Sequence, residues 1–412
     1  MAAPPAPPTP YAGPTASAAV KEAARKEIEK AGDALTELSH RIWDNPELGF
    51  EEEIASEACA DVLDGAGFDV TTGVAGLPTA FVAEYGSGPL TVGICSELDA
   101  LPVIGHACGH NMIAAAGVGA GLGLARVADE LGIKVKVFGT PAEEGGGGKI
   151  IMLEDGVFDG VNVAMMVHPA PIEGDVFPTL ASNHCDYHFH GKTAHASMAP
   201  EVGINASDAV TIAEVSVGLL RQHLEPTDQV HGIVTNGGEA ANIVPGYASA
   251  RYVMRAPDLD SLRRLVPRID LCFEAGALAT GARLEQVGKD APYSEFRHDP
   301  DVADIYRANA VALGRELAPR SQAGAASTDM ANVSLLMPTI HPTLGLDCLP
   351  AVNHQPEFAA HCRTPEADHA TIQGAIAMAW TSLDAAAEGE IRERLLSADT
   401  TYGGRDDYPW RF

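Results

Sequence analysis

Positive charge is scarce in this chain: 27 Lys and Arg stand against 56 Asp and Glu in 412 residues, a formal charge of −29. Nucleic acids and anionic membranes are held by basic patches, so neither is an expected partner. Paired cysteines are missing too. The seven, at positions 59, 95, 108, 185, 272, 348 and 362, are odd in number, scattered and without any CxxC spacing. That excludes a disulfide framework and points to a reducing, cytoplasmic setting. No window approaches the roughly 18 apolar residues of a membrane-spanning helix. The stretch MAAPPAPPTPYAGPTASAAV lacks a charged segment followed by an apolar run, so residues 1–17 read as a disordered Pro/Ala leader and not as a signal peptide. No internal repeat is visible.

What is present is enough apolar residue, 46%, to bury a substantial core, and a length that suggests two or three domains at roughly 150 residues each. Apolar periodicity predicts a helix over 18–44, with Leu35, Leu38 and Ile42 on one face, and a second near 51–66. From about 80 onward, strand-like runs (TAFVAEY, LTVGICS, KVKVFGT, VNVAMMV) alternate with helical ones, the pattern of an α/β layer with a mixed, mainly parallel sheet. Residues 182–294 break this rhythm. Their order, β-α-β-β-α-β, is that of a split ferredoxin-like unit. The expected organisation is a catalytic domain from 18–181 and 295–395, an inserted α+β lid or dimerisation domain over 182–294, and a C-terminal tail over 396–412, read as a surface appendage.

In parallel sheets, ligands gather beyond the carboxyl ends of the strands. Here LTVGICS leads to Glu97, Asp99 and the turn HACGHN (106–111), KVKVFGT leads to PAEEGGGG (141–148), and VNVAMMV leads to His168. Alone, HACGHN admits three readings: a metal site, a packed corner, or a nucleophilic thiol at Cys108. The first draws on a thiolate and an imidazole two residues apart on a glycine-relaxed turn. The third needs a base and an orienting group that the turn does not supply. Adjacent Glu143 and Glu144 on a glycine-freed backbone can divide the work, one ligating and one accepting a proton from water; the plain alternative is a solvated acidic turn before a helix. His168 and His354 are ambiguous one by one, while His40 and His341 read as structural. In HCDYHFH, the alternating His184, Asp186, His188 and His190 share one face of a strand. They suggest a second metal site, but read better as its solvated side.

Together SELDALPVIGHACGHN, PAEEGGGGKIIMLEDGVFDG, MMVHP, GKTAHAS and NHQPEF resemble the metal-dependent amidohydrolases of peptidase family M-twenty, from about residue 35 to 390. The branch is that of aminobenzoyl-glutamate, hippurate and indole-acetyl-amino-acid hydrolases. STDMANVS and GHACGHN look most like the aminobenzoyl-glutamate hydrolase and Xaa-basic dipeptidase group, whereas Asn111 stands where the hippurate branch carries aspartate. The resemblance implies Cys108, His110, Glu144, His168 and His354 as ligands of one or two divalent ions (zinc or manganese, with cobalt accepted), Cys108 in the bridging place, and Glu143 as general base. It implies that His195 reaches a partner subunit's site to stabilise the oxyanion, and that Asn242 and Arg255 contact a substrate carboxylate. The implied protein is a homodimer joined through the inserted domain, hydrolysing the amide bond of N-acyl amino acids, aminobenzoyl-glutamate-like conjugates or dipeptides by a metal-activated water. Two rivals accompany it: a non-catalytic acyl-amino-acid binding protein, and a thiol amidase using Cys108.

Overall fold

The computed structural model describes residue 11 and residues 13–288, 292–320 and 326–411. The chain divides into two compact units. One comprises residues up to 178, 296–323 and 328–406; the other comprises 179–295, 324–327 and 407–412.

The first unit is built on a six-stranded sheet in the order Asp69–Thr72, Phe81–Tyr85, Ile133–Thr140, Leu90–Glu97, Val163–Met165, Thr339–Ile340. The last four run parallel, and the first two are added antiparallel at one edge. The sheet is therefore mixed and mainly parallel, with its central strand Leu90–Glu97 buried at every position. Helix His110–Ala125 packs on it and is buried along almost its whole length. Its small residues make that approach possible: a Cβ on Gly117 would lie 2.1 Å from Ser96 Oγ. Around it the core gathers Val20, Ala24 and Ile28, Leu35, Leu38 and Ile42, and Ala375, Met378 and Leu383 of helix Pro365–Ala385.

The helix expected over 18–44 is two helices, Ala18–Lys30 and Gly32–Asp44, meeting at Ala31. Gly32, the poorest helix former short of proline, tolerates the break, and each half then aims its own apolar stripe at the core. Of the leader, residues 1–10 and 12 lie outside the described residues. Its end is ordered: buried Ala16 donates its N–H to Asp384 (2.9 Å) and the Ser17 hydroxyl caps the first helix.

In the second unit, Ala181–His190, Ala206–Leu220, Gln229–Asn236, Tyr247–Ala256, Leu259–Thr280 and Arg283–Val287 follow the β-α-β-β-α-β order. The antiparallel sheet runs fourth, first, third, second, the ferredoxin-like arrangement. Cys185, Tyr187 and Phe189 point into the core, Tyr187 stacking on Phe273 at 3.6 Å. The other face is an ordinary polar one: Arg251 holds Asp186 through two 2.7 Å bonds, the Tyr247 hydroxyl meets His188, and Glu285 meets His190. No metal-ligand grouping forms there among the described residues.

The C-terminal segment is packed and not an appendage. Tyr402 is buried with its hydroxyl on the Val161 carbonyl, and in the second unit Tyr408 and Trp410 are buried and stack at 4.8 Å. Burying Tyr402, Tyr408 and Trp410 removes too much apolar surface from water for this run to stay free.

Candidate metal centre

Three parallel strands end on one side of the first unit and launch the site. Two residues beyond Leu90–Glu97, the buried Asp99 carboxylate accepts the backbone N–H of Glu143 (3.1 Å) and of Glu144 (3.0 Å) and meets His110 Nδ1 at 3.1 Å. One side chain thus ties the first loop to the turn after Ile133–Thr140. That turn passes through Ala142 at φ 56°, a left-handed conformation costly for a residue with a Cβ. Buried Glu52 pins it by accepting the Ala142 N–H at 2.8 Å. Gly109, at φ 80°, carries the chain into the His110 helix; a Cβ there would lie 2.9 Å from Pro169 and 3.2 Å from the Cys362 sulfur.

His168 follows Val163–Met165 and starts the short strand His168–Ala170, paired in parallel with Thr343–Gly345. Its Nδ1 lies 2.8 Å from the Pro169 carbonyl, which fixes the proton there and leaves Nε2 with a lone pair. Burial lowers its pKa to about 4, so the ring is neutral near pH 7, as a ligand must be. His354 sits at φ 66°, its N–H bonded to the Ala107 carbonyl at 2.8 Å.

Cys108, His110, Glu143, Glu144, His168 and His354 converge, and Glu97 joins them. The Cys108 sulfur lies 3.4 Å from His168 Nε2 and 3.5 Å from His354 Nε2, and Glu144 Oε2 is 3.5 Å from His354 Nε2. His110 Nε2 faces Glu97 Oε2 at 3.3 Å, Glu143 Oε2 at 3.8 Å and Glu144 Oε1 at 3.9 Å. Ligand atoms in three sets (Cys108, His110, His168; Cys108, Glu144, His354; Glu97, His110, Glu143) lie within 4.8 Å of one another.

This arrangement fits a cation. Glu97 Oε2, His110 Nε2 and Glu144 Oε1 are buried with no hydrogen-bond partner among the described residues; the 3.3 Å approach of Glu97 to His110 is an ion-pair distance without hydrogen-bond geometry. Glu97, Asp99, Glu143 and Asp329 are buried and Glu144 nearly so. Facing them are Lys149 and the imidazoles of His110 and His354. Each buried ion costs several kcal/mol when uncompensated, and a divalent ion is the natural compensation. The electrostatics respond accordingly. Burial, then the charges of Glu97 and Glu144, push the Glu143 carboxyl well above its usual range. Burial opposes charging of His110, yet Glu97 and Asp99 outweigh it and raise its pKa well above 6.5. The donor set (thiolate, imidazoles, carboxylates) suits zinc and manganese.

Residues 96–375 match Peptidase family M20/M25/M40. The chain belongs to this family. It is 37% identical to a Xaa-Arg dipeptidase of Mus musculus over 385 residues, 89% of this chain and 88% of that protein. Two solved structures share the fold. One is an aminobenzoyl-glutamate utilization protein from Klebsiella pneumoniae (TM-score 0.70, 20% identity, 87% of this chain and 97% of that one). The other is a Bacillus subtilis family member described as a dinuclear metal binding peptidase (TM-score 0.62, 20% identity, 86% and 99%). As a family member with such relatives, this chain is a hydrolase acting on amide or peptide bonds.

His195, Asn242 and Arg255 stand on the second unit. His195 is exposed, its Nδ1 3.3 Å from the Ser197 N–H, and the Ala196 N–H bonds the carbonyl of exposed Asn242. Arg255 is half-buried, donates to the Ser327 hydroxyl at 2.8 Å and has no carboxylate within ion-pair distance among the described residues. Sequence reasoning placed Glu97 and Asp99 at the rim without a role and passed over Glu52, Lys149 and Asp329. One signal was available: a lysine following four glycines and opening an otherwise apolar helical turn, KIIML, has no solvated face to occupy.

Proposed function

We propose that this protein is a metal-dependent dipeptidase or N-acyl-amino-acid amidohydrolase, with aminobenzoyl-glutamate-like conjugates as the alternative substrates. One or two divalent ions, zinc or manganese with cobalt accepted, would be held by Cys108, His110, Glu144, His168 and His354. The observation that carries the reading is the convergence of these five side chains around buried, unpartnered ligand atoms. When bound, an ion polarises the scissile carbonyl and makes a neighbouring water more acidic.

The chain supplies the rest. Glu143, beside the ligands with a raised proton affinity, takes a proton from the attacking water and delivers it to the leaving amine as the C–N bond breaks. His195 donates to the oxyanion from a partner subunit, an interaction worth about 100- to 1000-fold in rate. Asn242 and Arg255 hold the substrate carboxylate, for which a guanidinium offers a bidentate fork; that Arg255 has no anionic partner among the described residues supports this. The inserted domain then serves as lid and dimer contact in a cytoplasmic homodimer. Free cysteines at all seven positions support a reducing compartment, and among the described residues no helix is long and apolar enough to cross a membrane.

Thiol catalysis is disfavoured, because burial, then Glu144, push the Cys108 thiol well above its usual range, whereas a nucleophilic thiol needs the opposite. A binding protein would have no use for Glu143 beside the ligands.

The test is a panel of Xaa-Arg and other dipeptides, acyl-amino acids and aminobenzoyl-glutamate with metal-reconstituted protein. Chelation should abolish turnover, and Glu143→Ala should keep the metal while losing at least 100-fold in kcat. Activity that survives chelation, or an active Glu143→Ala variant, would overturn the reading.

A further inference from the structure

Behind the ligands lies a buried ionic triad. Lys149 is fully buried, and its Nζ sits 2.7 Å from Glu97 Oε1 and 2.7 Å from Asp329 Oδ1. The Lys149 backbone N–H donates to Asp329 Oδ2 at 2.9 Å. Both oxygens of Asp329 are therefore satisfied by one residue. Glu97 is satisfied on one side only: its Oε2 is buried, without a hydrogen-bond partner among the described residues, and 3.3 Å from His110 Nε2.

That asymmetry separates two explanations. A triad kept for stability alone would close all its bonds, because a half-satisfied buried carboxylate is worse than an apolar replacement. Here the open valence falls on the oxygen that faces the ligand cluster. Glu97 ends a strand buried on both faces, so the carboxylate cannot swing out to water. Its ligand atom lies within 4.8 Å of those of His110 and Glu143, a spacing that one ion can bridge.

We propose that Glu97 is a further carboxylate ligand to the ion held by His110, and that Lys149 and Asp329 are positioning residues for it. This rests on the metal-dependent reading above. Lys149 occupies one oxygen and so presents Glu97 in a monodentate pose; Asp329 fixes Lys149 at both its ammonium and its backbone. The Asp329–Lys149 pair thereby links the segment 327–334 to ion affinity, although neither residue touches the ion.

The experiment uses full-length protein stripped by chelator and reloaded with manganese or cobalt. Ions per chain, binding affinity by calorimetry and the visible spectrum of the cobalt form are measured for wild type, Glu97→Gln, Glu97→Asp, Asp329→Asn and Lys149→Met. Glu97→Gln should bind one ion 10- to 100-fold more weakly and shift the cobalt bands, with the urea midpoint of the stripped protein close to wild type; Glu97→Asp should recover part of the affinity. Lys149→Met and Asp329→Asn should shift the cobalt bands in the same direction. A Glu97→Gln protein with wild-type ion count, affinity and spectrum overturns the proposal. If Lys149→Met does not fold, the near-isosteric Glu97→Gln and Asp329→Asn decide. Wild type that binds no ion sinks the metal-dependent reading itself, whereas wild type and Glu97→Gln loading identically sinks only this inference.

Discussion

Asp99→Asn is the most informative single change in the first unit, because Asp99 is held to the site by three donors and touches no proposed ligand atom except through them. Its Oδ1 meets the Glu143 N–H and His110 Nδ1, each at 3.1 Å, and its Oδ2 meets the Glu144 N–H at 3.0 Å. An amide keeps one acceptor oxygen and replaces the other with a donor. If the oxygen stays at the Oδ1 position, the new NH2 confronts the Glu144 N–H and leaves a buried donor orphaned, about 2 kcal/mol. The two surviving bonds lose their charge assistance, roughly 1 kcal/mol between them. The sum is about 3 kcal/mol, concentrated on the turn that carries the base and a ligand. Urea unfolding of the chelated protein should show that loss. Metal titration and kcat should each fall 10- to 100-fold, since the tautomer and orientation of His110 depend on the same carboxylate. A variant with wild-type affinity and turnover would refute the claim that Asp99 joins the two loops.

Two further outcomes follow. If His195 acts across a dimer, mixing inactive His195→Ala with inactive Glu143→Ala subunits should restore partial activity, and none after verified subunit exchange would count against sharing. His106 is buried, and burial followed by the charge on His110 holds its pKa at about 4 against 6.5 when free. The folded value is the depressed one, so the unfolded chain takes up the proton first. The stability contribution is complete above pH 6.5 and is lost as pH falls towards 4, amounting to about 3 kcal/mol. Urea midpoints of the stripped protein across that window should fall less steeply for His106→Phe, and an unchanged slope would contradict it.

Much of the fold was legible because two periodicities carry it. LTVGICS is a nearly continuous apolar run since both faces of a parallel sheet are covered there, whereas KVKVFGT becomes one only past Lys134 and Lys136, which pair with Glu84. HCDYHFH alternates since one face of the second sheet is solvated. The site was legible where ligands sit just past strand ends. What escaped was whatever depends on distance across the fold. Nothing near position 149 in the sequence announces that Glu97, 52 residues earlier, and Asp329, 180 residues later, meet one ammonium. The antiparallel placement of Phe81–Tyr85 was hidden for the same reason: a buried antiparallel strand and a buried parallel strand read alike. The C-terminal aromatics were misjudged because a Gly- and Asp-rich segment scores as loop, and loops can still be buried by what they dock against.

The centre is also pre-shaped at a cost. Two non-glycine residues stand in left-handed backbone, Ala142 just before the carboxylate pair and His354, which carries the last imidazole, each at about 1 kcal/mol or more. Ala142 is held by Glu52, and His354 by the Ala107 carbonyl, next to Cys108. These restraints are made of backbone hydrogen bonds and a buried carboxylate, so the turn and the loop are held in place by the core behind the site. That strain is the mark of a site arranged for a position in space, set by the core behind it.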